Sequence, residues 1–335
     1  RVADKVAKLR FPTPSPCGKT PISAHDLSKS YGSLEIFTDV SCVIDKGSRV
    51  VILGLNGAGK TTLLRILAGE LESDTGKVEH GHGLKIGYYA QEHESLDFER
   101  TILENMMSAT AEIREPEARN VLGSFLFAGD DVHKPVKVLS GGERTRLALA
   151  TIVVSGANVL LLDEPLSALD AQVRANLRDE IRRLQLETHT TTIFVTHDQE
   201  EAMAISDRVA VMNQGKIAQI APPAEIYNSP SDEFVAGFVG QMNRIPAEVV
   251  GDKLRVLETL VDRRMHAPAT GAVIALVRPE NLVVERADRT SNPLNAVVEA
   301  SVFLGPLTKL TLRVGDNLRL TAVMPGGAAV GLHAG

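Results

Sequence analysis

The run Gly54-Leu-Asn-Gly57-Ala-Gly59-Lys60-Thr61 constrains this chain more than any other feature. It fits the pattern G-x-x-x-x-G-K-S/T in the context that gives the pattern meaning: the strand-like Arg49 to Leu53 precedes it and the helix-like Lys60 to Ala68 follows. A strand, a glycine-rich turn and a helix in that order set a row of backbone N–H groups at the positive end of a helix, where a polyphosphate can rest. Lys60 then supplies a cation for the outer phosphates, and Thr61 a hydroxyl for Mg²⁺. Such a unit needs a parallel sheet around it, so an α/β domain is expected.

The rest of the first two thirds agrees. Val50 to Leu53, Leu84 to Tyr89, Val159 to Leu162, Thr192 to Val195 and Arg208 to Met212 read as short strands alternating with helical patterns. After Asp170, Val173, Leu177, Ile181 and Leu184 share one helix face, while Arg178, Asp179, Arg182 and Arg183 fall on the other. Beyond Asn243 the texture changes to apolar runs such as Ala272 to Val277, Ala296 to Phe303 and Lys309 to Val314, with hardly any helical period. With 335 residues, 44% of them hydrophobic, about two domains are expected. We place a basic, Pro-rich extended linker at 1–22, the α/β domain at 23–243 and a small all-β domain at 244–335. The chain begins at Arg1 and its last residues, Gly331 to Gly335, read as an unfinished module, so it is taken as processed or trimmed.

Two further motifs carry chemistry. Val159-Leu-Leu-Leu-Asp163-Glu164-Pro165 is a buried-type strand ending in two carboxylates, which suits Asp163 for a Mg²⁺ shell and Glu164 for polarising an attacking water. Leu139-Ser140-Gly141-Gly142-Glu143 opens another helix, Arg144 to Val154, and is a second anion site. Both phosphate-binding starts serve one nucleotide only if two chains meet head to tail with two-fold symmetry, each covering the other's loop.

Composition excludes several alternatives. Lys and Arg total 36 against 42 Asp and Glu, a formal net charge of -6, so the chain is no polycation for coating nucleic acid. Cys17 and Cys42 are the only cysteines, too few for a disulfide framework; this favours a reducing compartment, and no Cys/His cluster has zinc spacing. The richest apolar run, Ala148 to Leu162, is broken by Thr151, Ser155, Gly156 and Asn158, which argues against direct membrane insertion.

In this order and spacing, the motifs over residues 23 to 240 resemble the ATP-binding-cassette (ABC) ATPases: a P-loop NTPase with a mixed sheet and a helical subdomain. The resemblance implies ATP and Mg²⁺ as cofactors. It implies nucleotide contacts from Gly54, Asn56, Gly57, Ala58, Gly59, Lys60, Thr61 and Thr62, from Ser140, Gly141, Gly142 and Glu143, and from Asp170 in Ser167-Ala-Leu-Asp170. Tyr31 resembles the aromatic that stacks on adenine, Gln91 in Tyr88-Tyr-Ala-Gln91 the glutamine that reaches the metal and the reacting centre, and His197 the switch histidine. Thr61, Gln91 and Asp163 would then hold the metal, and Glu164, His197 and Gln91 would serve catalysis.

Up to about Pro165 the likeness is to the second cassette of the ABC-F group, which acts on ribosomes: the basic lead-in, Tyr88-Tyr-Ala-Gln-Glu-His, Asn120-Val-Leu-Gly-Ser-Phe-Leu-Phe and Ser140-Gly-Gly-Glu-Arg-Thr-Arg carry it. From Leu166 onward it is to importer ATPases for sugars, glycerol phosphate or polyamines, through Leu166-Ser-Ala-Leu-Asp-Ala-Gln-Val-Arg, Val195-Thr-His-Asp-Gln-Glu-Glu-Ala-Met and Pro222-Pro-Ala-Glu-Ile-Tyr. Ala275-Leu-Val-Arg-Pro-Glu-Asn-Leu resembles the OB-like TOBE domain of that group. Glu143 stands where importers usually carry Gln, and Leu166-Ser167 where ABC-F proteins usually carry Thr-Asn. A junction near Pro165 and Leu166 would make the chain a chimera, natural or engineered; a single divergent importer ATPase is the alternative.

The expected function is ATP hydrolysis by the nucleotide-binding subunit of an importer. It would act as an ATP-sandwiched homodimer docked on membrane permease subunits, cytoplasmic and peripheral on the inner face of the membrane. The rivals are a ribosome-associated factor and a hybrid ATPase without a physiological partner.

Overall fold

A computed structural model describes residues 14–89, 96–111, 113–127, 129–257, 259–262, 271–285, 296–315 and 317–329. The chain divides into two compact units, one ending at Ser229 and the other beginning at Pro230.

The first unit opens with the hairpin β1 (Ile22–Tyr31) and β2 (Leu34–Ile44), followed by β3 (Arg49–Gly54), α1 (Lys60–Ala68), β4 (Thr75–His80) and β5 (Ile86–Tyr89). Three helices come next, α2 (Ile102–Ser108), α3 (Glu115–Ser124) and α4 (Gly141–Val154), which pack on one another. Then β6 (Val159–Asp163), α5 (Ala171–Thr188), β7 (Thr191–Thr196), α6 (Gln199–Ile205), β8 (Arg208–Asn213), β9 (Lys216–Ala221) and α7 (Pro223–Asn228) complete the unit.

β5-β6-β7-β3-β8-β9 form one sheet, parallel except for β9, and β2-β1-β4 form a separate antiparallel sheet. β6 and β7 are buried at every position, as strands of a parallel sheet covered on both faces must be. Phe37, Leu27, Leu63, Leu67, Leu161 and Ile193 join the two sheets and α1 into one core. Register then decides function. Leu53 lies beside Thr196, and Asp163 beside Val195, so β3, β6 and β7 end together and release Gly54, Glu164 and His197 at one edge, the carboxyl ends where ligands of such sheets bind.

Side-chain caps start the helices that border this edge. Ser140 and Glu143 form a reciprocal capping box at α4; Asp170 accepts from the Val173 N–H at α5, and Asp198 from the Glu200 and Glu201 N–H groups at α6. The described part of the segment read as a linker is pinned: the Ser15 and Gly18 N–H groups donate to the Gly156 and His82 carbonyls, and the Lys46 N–H donates to the Lys19 carbonyl. Asn158 fixes the same place, donating to the Ser15 and Gly83 carbonyls at 3.1 and 2.8 Å.

The second unit holds α8 (Glu233–Phe238), β10 (Asn243–Val250), β11 (Lys253–Val256), β12 (Thr259–Asp262), β13 (Ala272–Val277), β14 (Ala296–Phe303), β15 (Leu307–Val314) and β16 (Leu318–Pro325). These strands make two antiparallel sheets, β12-β11-β10-β13 and β14-β15-β16. Ile245 and Ala247 from the first and Leu310, Leu312, Leu320 and Ala322 from the second share one core. Asn243, 5% exposed, joins the sheets by donating to the Thr321 carbonyl at 2.8 Å and accepting from the Thr321 N–H at 2.7 Å. Among the described residues, no helix is long and apolar enough to cross a membrane.

Candidate functional site

The turn between β3 and α1 takes a shape that needs its glycines. A Cβ on Gly54 would stand 2.7 Å from the Met212 carbonyl oxygen, and Gly59, the residue before α1, has φ 95° with Ile36 packed against it. Asn56 and Gly57 are exposed at the top of the turn, Ala58 is buried beneath it, and Thr62 is half-buried in the first turn of α1. The top of the turn and Thr61, in the first turn of α1, are thus open to solvent.

Lys60 is 5% exposed. Its Nζ donates to the Gly54 and Leu55 carbonyls at 3.0 and 3.1 Å and lies 3.3 Å from Glu164 Oε1. Glu164 Oε2 meets His197 Nδ1 at 3.0 Å. The Glu164 backbone sits at φ 46°, unusual for a residue with a Cβ, and its N–H is held by the Val195 carbonyl at 3.0 Å. That conformation costs of the order of 1–3 kcal/mol and aims the carboxylate between cation and imidazole. Thr61 Oγ1 donates to Asp163 Oδ1 at 3.2 Å. Burial pushes the Asp163 carboxyl above its usual range, the Thr61 hydrogen bond opposes this, and the neighbouring Glu164 charge adds to the rise. A buried carboxylate and a hydroxyl are hard oxygen donors, and a site of that kind, needing phosphate oxygens and water to complete it, suits Mg²⁺.

Of the other expected residues, Ser140, Gly141, Gly142 and Asp170 form a group of their own, at the head of α4 and the loop packed on it. Gln91 lies outside the described residues; in β5, Tyr89 pairs with Leu162, and the Tyr88 phenol is pushed up to about 12 by burial first and then by the Asp163 charge. Tyr31, half exposed, ends β1 with Lys29 Nζ 5.7 Å from its ring centroid. Ser140 is exposed, with its hydroxyl and N–H on Glu143 Oε2 at 2.8 Å, and Gly141 beside it is exposed too. Gly142 lets the Leu166–Asp170 loop pack against α4, since a Cβ there would stand 2.9 Å from Leu169 Cδ2. The structure thus unites Gly54, Lys60, Thr61, Asp163, Glu164 and His197 directly, and sets Ser140, Gly142 and Asp170 on a second surface.

Sequence reasoning missed what lies behind His197. Thr196, Glu201 and Arg174 lie in the runs that carry the importer likeness but have no role assigned there, and only the three-dimensional approach of α5 to α6 reveals one. The run Val195-Thr-His-Asp-Gln-Glu-Glu contained the one available signal, a buried-strand threonine five residues before a glutamate.

These elements define a P-loop nucleotide-binding cassette joined to a small β domain. Among solved structures, the cassette portion is similar to the dimeric ATP-binding cassette MJ0796 in a post-hydrolysis state bound to ADP and Pi, with a TM-score of 0.54 at 23% identity over 60% of this chain and 98% of that one; this likeness shows the fold. The ABC transporter family matches residues 37–167 and the TOBE domain family residues 275–334. The sulfate/thiosulfate import ATP-binding protein CysA of Bacillus cereus is 35% identical over 87% of each chain, and that of Xylella fastidiosa 39% identical over 79% of this chain and 81% of its own. The sn-glycerol-3-phosphate import ATP-binding protein UgpC of Cereibacter sphaeroides is 38% identical over 326 residues, 92% of each chain. The chain belongs to the ABC transporter ATP-binding proteins that carry a TOBE domain. A match of that length runs through Pro165 and Leu166, so the importer likeness reaches both sides of the suspected junction, and these relatives lend no support to a change of ancestry or to a ribosome partner.

Proposed function

We propose that this protein is the ATP-hydrolysing subunit of an ABC importer, working on Mg-ATP as a head-to-tail homodimer docked on permease subunits at the cytoplasmic face of the membrane. The observation that carries the reading is the continuous contact Lys60–Glu164–His197 beside the Thr61–Asp163 pair. The amides of Gly57 to Thr61 and Lys60 bind the terminal phosphates. Thr61 and Asp163 would hold Mg²⁺, with Gln91 as a further ligand, and the ion would supply positive charge to the outer phosphates. A polyphosphate competes with Glu164 for the Lys60 ammonium, which frees the carboxylate to take a proton from the attacking water. His197, hydrogen-bonded to that carboxylate, orients it and faces the phosphate. Ser140, Gly141, Gly142 and Asp170 would contact the nucleotide held by the partner cassette, and Tyr31 would carry the base. The named relatives import sulfate, thiosulfate and glycerol 3-phosphate, so an anionic solute recognised by other subunits is the first class to assay.

Replacing Glu164 with Gln removes the proposed base, a group worth roughly 10²–10⁴-fold, while keeping its shape. Turnover in Glu164→Gln is expected to fall by about that factor with nucleotide affinity kept. Hydrolysis at the wild-type rate would end this reading of Glu164.

A further inference from the structure

The residue that carries His197 is held from behind. Thr196, last in β7, donates its hydroxyl to Glu201 Oε2 at 2.6 Å and accepts from the Asp198 N–H at 3.0 Å. Asp198 in turn accepts from the Glu200 and Glu201 N–H groups at 2.8 and 3.2 Å. Thr196 and Glu201 are 2% and 4% exposed, so the bond between them is shielded from water. His197 is therefore the exposed step between two anchored neighbours.

The positive charge opposite Asp198 and Glu201 comes from α5. Arg174 Nη1 lies 3.7 Å from Asp198 Oδ2 and its Nε 3.9 Å from Glu201 Oε1, while its Nη2 donates to the Leu169 carbonyl at 2.9 Å. Leu169 belongs to the loop that runs from Glu164 to Asp170, and that loop is tied to Glu164 itself: the Ser167 N–H and hydroxyl both reach the Glu164 carbonyl, at 3.2 and 2.8 Å. One guanidinium thus lies against both the loop that follows Glu164 and the segment that follows His197. Its two sides are held differently. The Leu169 side is a directional hydrogen bond, whereas the α6 side is an ion pair at separations too long for a direct hydrogen bond, with Nε buried and lacking an acceptor. The loop can therefore move the arginine, and the arginine can draw on α6 by charge, without a bond having to break first.

We propose that Arg174 is a positioning residue that couples the Leu166–Asp170 loop to His197, so that engagement of Asp170 at a second surface is passed to the imidazole facing Glu164. The coupling rests on the ATPase reading for its purpose, because only in hydrolysis does the placing of His197 set a rate. It accounts for a planar fork at position 174, since a lysine could keep the charge but could not bond Leu169 and face two carboxylates at once.

The test uses the full chain, with Arg174→Ala, Arg174→Lys and the isosteric Glu201→Gln beside wild type. Turnover, nucleotide affinity, melting temperature and the imidazole NMR signals of His197, assigned with His197→Gln, are measured for each. Arg174→Ala is expected to lose about tenfold in turnover, the scale of such couplings, with affinity within about twofold and the His197 signals displaced. Arg174→Lys should recover part of both, and Arg174→Ala with Glu201→Gln should lose less than the product of the single losses. Wild-type turnover and unmoved His197 signals in Arg174→Ala would overturn the coupling, as would equal losses of turnover and affinity. If wild type itself fails to hydrolyse ATP, the ATPase reading falls, and the His197 signals alone decide whether Arg174 places the imidazole. If wild type hydrolyses, Glu164→Gln does not, and Arg174→Ala matches wild type in both readouts, the coupling alone falls.

Discussion

Glu143 closes the capping box at the head of α4, and its carboxylate is held below the usual glutamate range by the Ser140 N–H first and the Ser140 hydroxyl second. A lowered folded-state value means that the charged form stabilises the fold. That contribution is fully present above the unfolded value of about 4.3, and it is lost as pH falls through that value toward the folded one. Gln keeps an acceptor for the box and cannot titrate. At pH 7 we expect Glu143→Gln to be less stable than wild type by up to about 1 kcal/mol, the scale of a cap, and the gap to close as pH falls below about 4.3. Urea midpoints at pH 7 and pH 3 check this, and a gap that widens in acid would refute it. At this scale the sequence speaks clearly where chemistry follows residue type at a fixed offset, as with Lys60, Thr61, Asp163 and Glu164. It is silent on Arg174, whose partners sit on α6 and are reached through folding alone.

Among the elements, the hairpin β1–β2 was the least legible. Its register shifts between Ala24 and Leu27 and again before Ser30, and Asp26 and Asp39 take positive φ, so the alternation that betrays a strand is broken. The hairpin still packs, because Ser41 Oγ accepts from the Asp26 N–H at 2.8 Å and Ser28 Oγ accepts from the Asp39 N–H at 3.1 Å. Its packing on the six-stranded sheet leaves a cavity of about 320 Å³ among Ala24, Cys42, Ile52, Leu67, Ile193 and Ala210. Burial there pushes the Cys42 thiol up to about 11, despite the charge of Arg208, so this cysteine behaves as an apolar lining group. Ala210, 3% exposed on β8, points a methyl into that space. Ala210→Val fills part of the void and suits a strand, so we expect a gain of roughly 0.5–2 kcal/mol, read as a higher urea midpoint with an unchanged slope. A loss of stability would show that the space is already closed by side-chain relaxation.

At the scale of the whole molecule, the change of texture near Asn243 falls inside the second unit, which begins at Pro230 and holds α8 ahead of its strands. The runs Ala272–Val277 and Ala296–Phe303 became β13 and β14 as read. What the sequence could not disclose is how those strands sort into two sheets, since pairing depends on contacts far apart in the chain, such as Asn243 with Thr321. From two units, each with its own core, we expect a chain whose unfolding is not one cooperative event. Calorimetry should show two transitions, and they should answer to different perturbations. Mg-ATP, binding the cassette and not the unfolded chain, raises the transition of the first unit by about 2.7 kcal/mol at a hundred times its dissociation constant. Asn243→Ala removes both bonds from the half-buried Thr321 N–H and carbonyl, at up to about 1–3 kcal/mol in all, and lowers the other transition. If one transition moved with both perturbations, the two cores would have to be coupled as one cooperative unit. If ATP moved neither, the β3–α1 turn would not be the nucleotide site. Separate responses would show that the TOBE unit can be altered without disturbing nucleotide binding, which makes it the place to test regulation apart from hydrolysis.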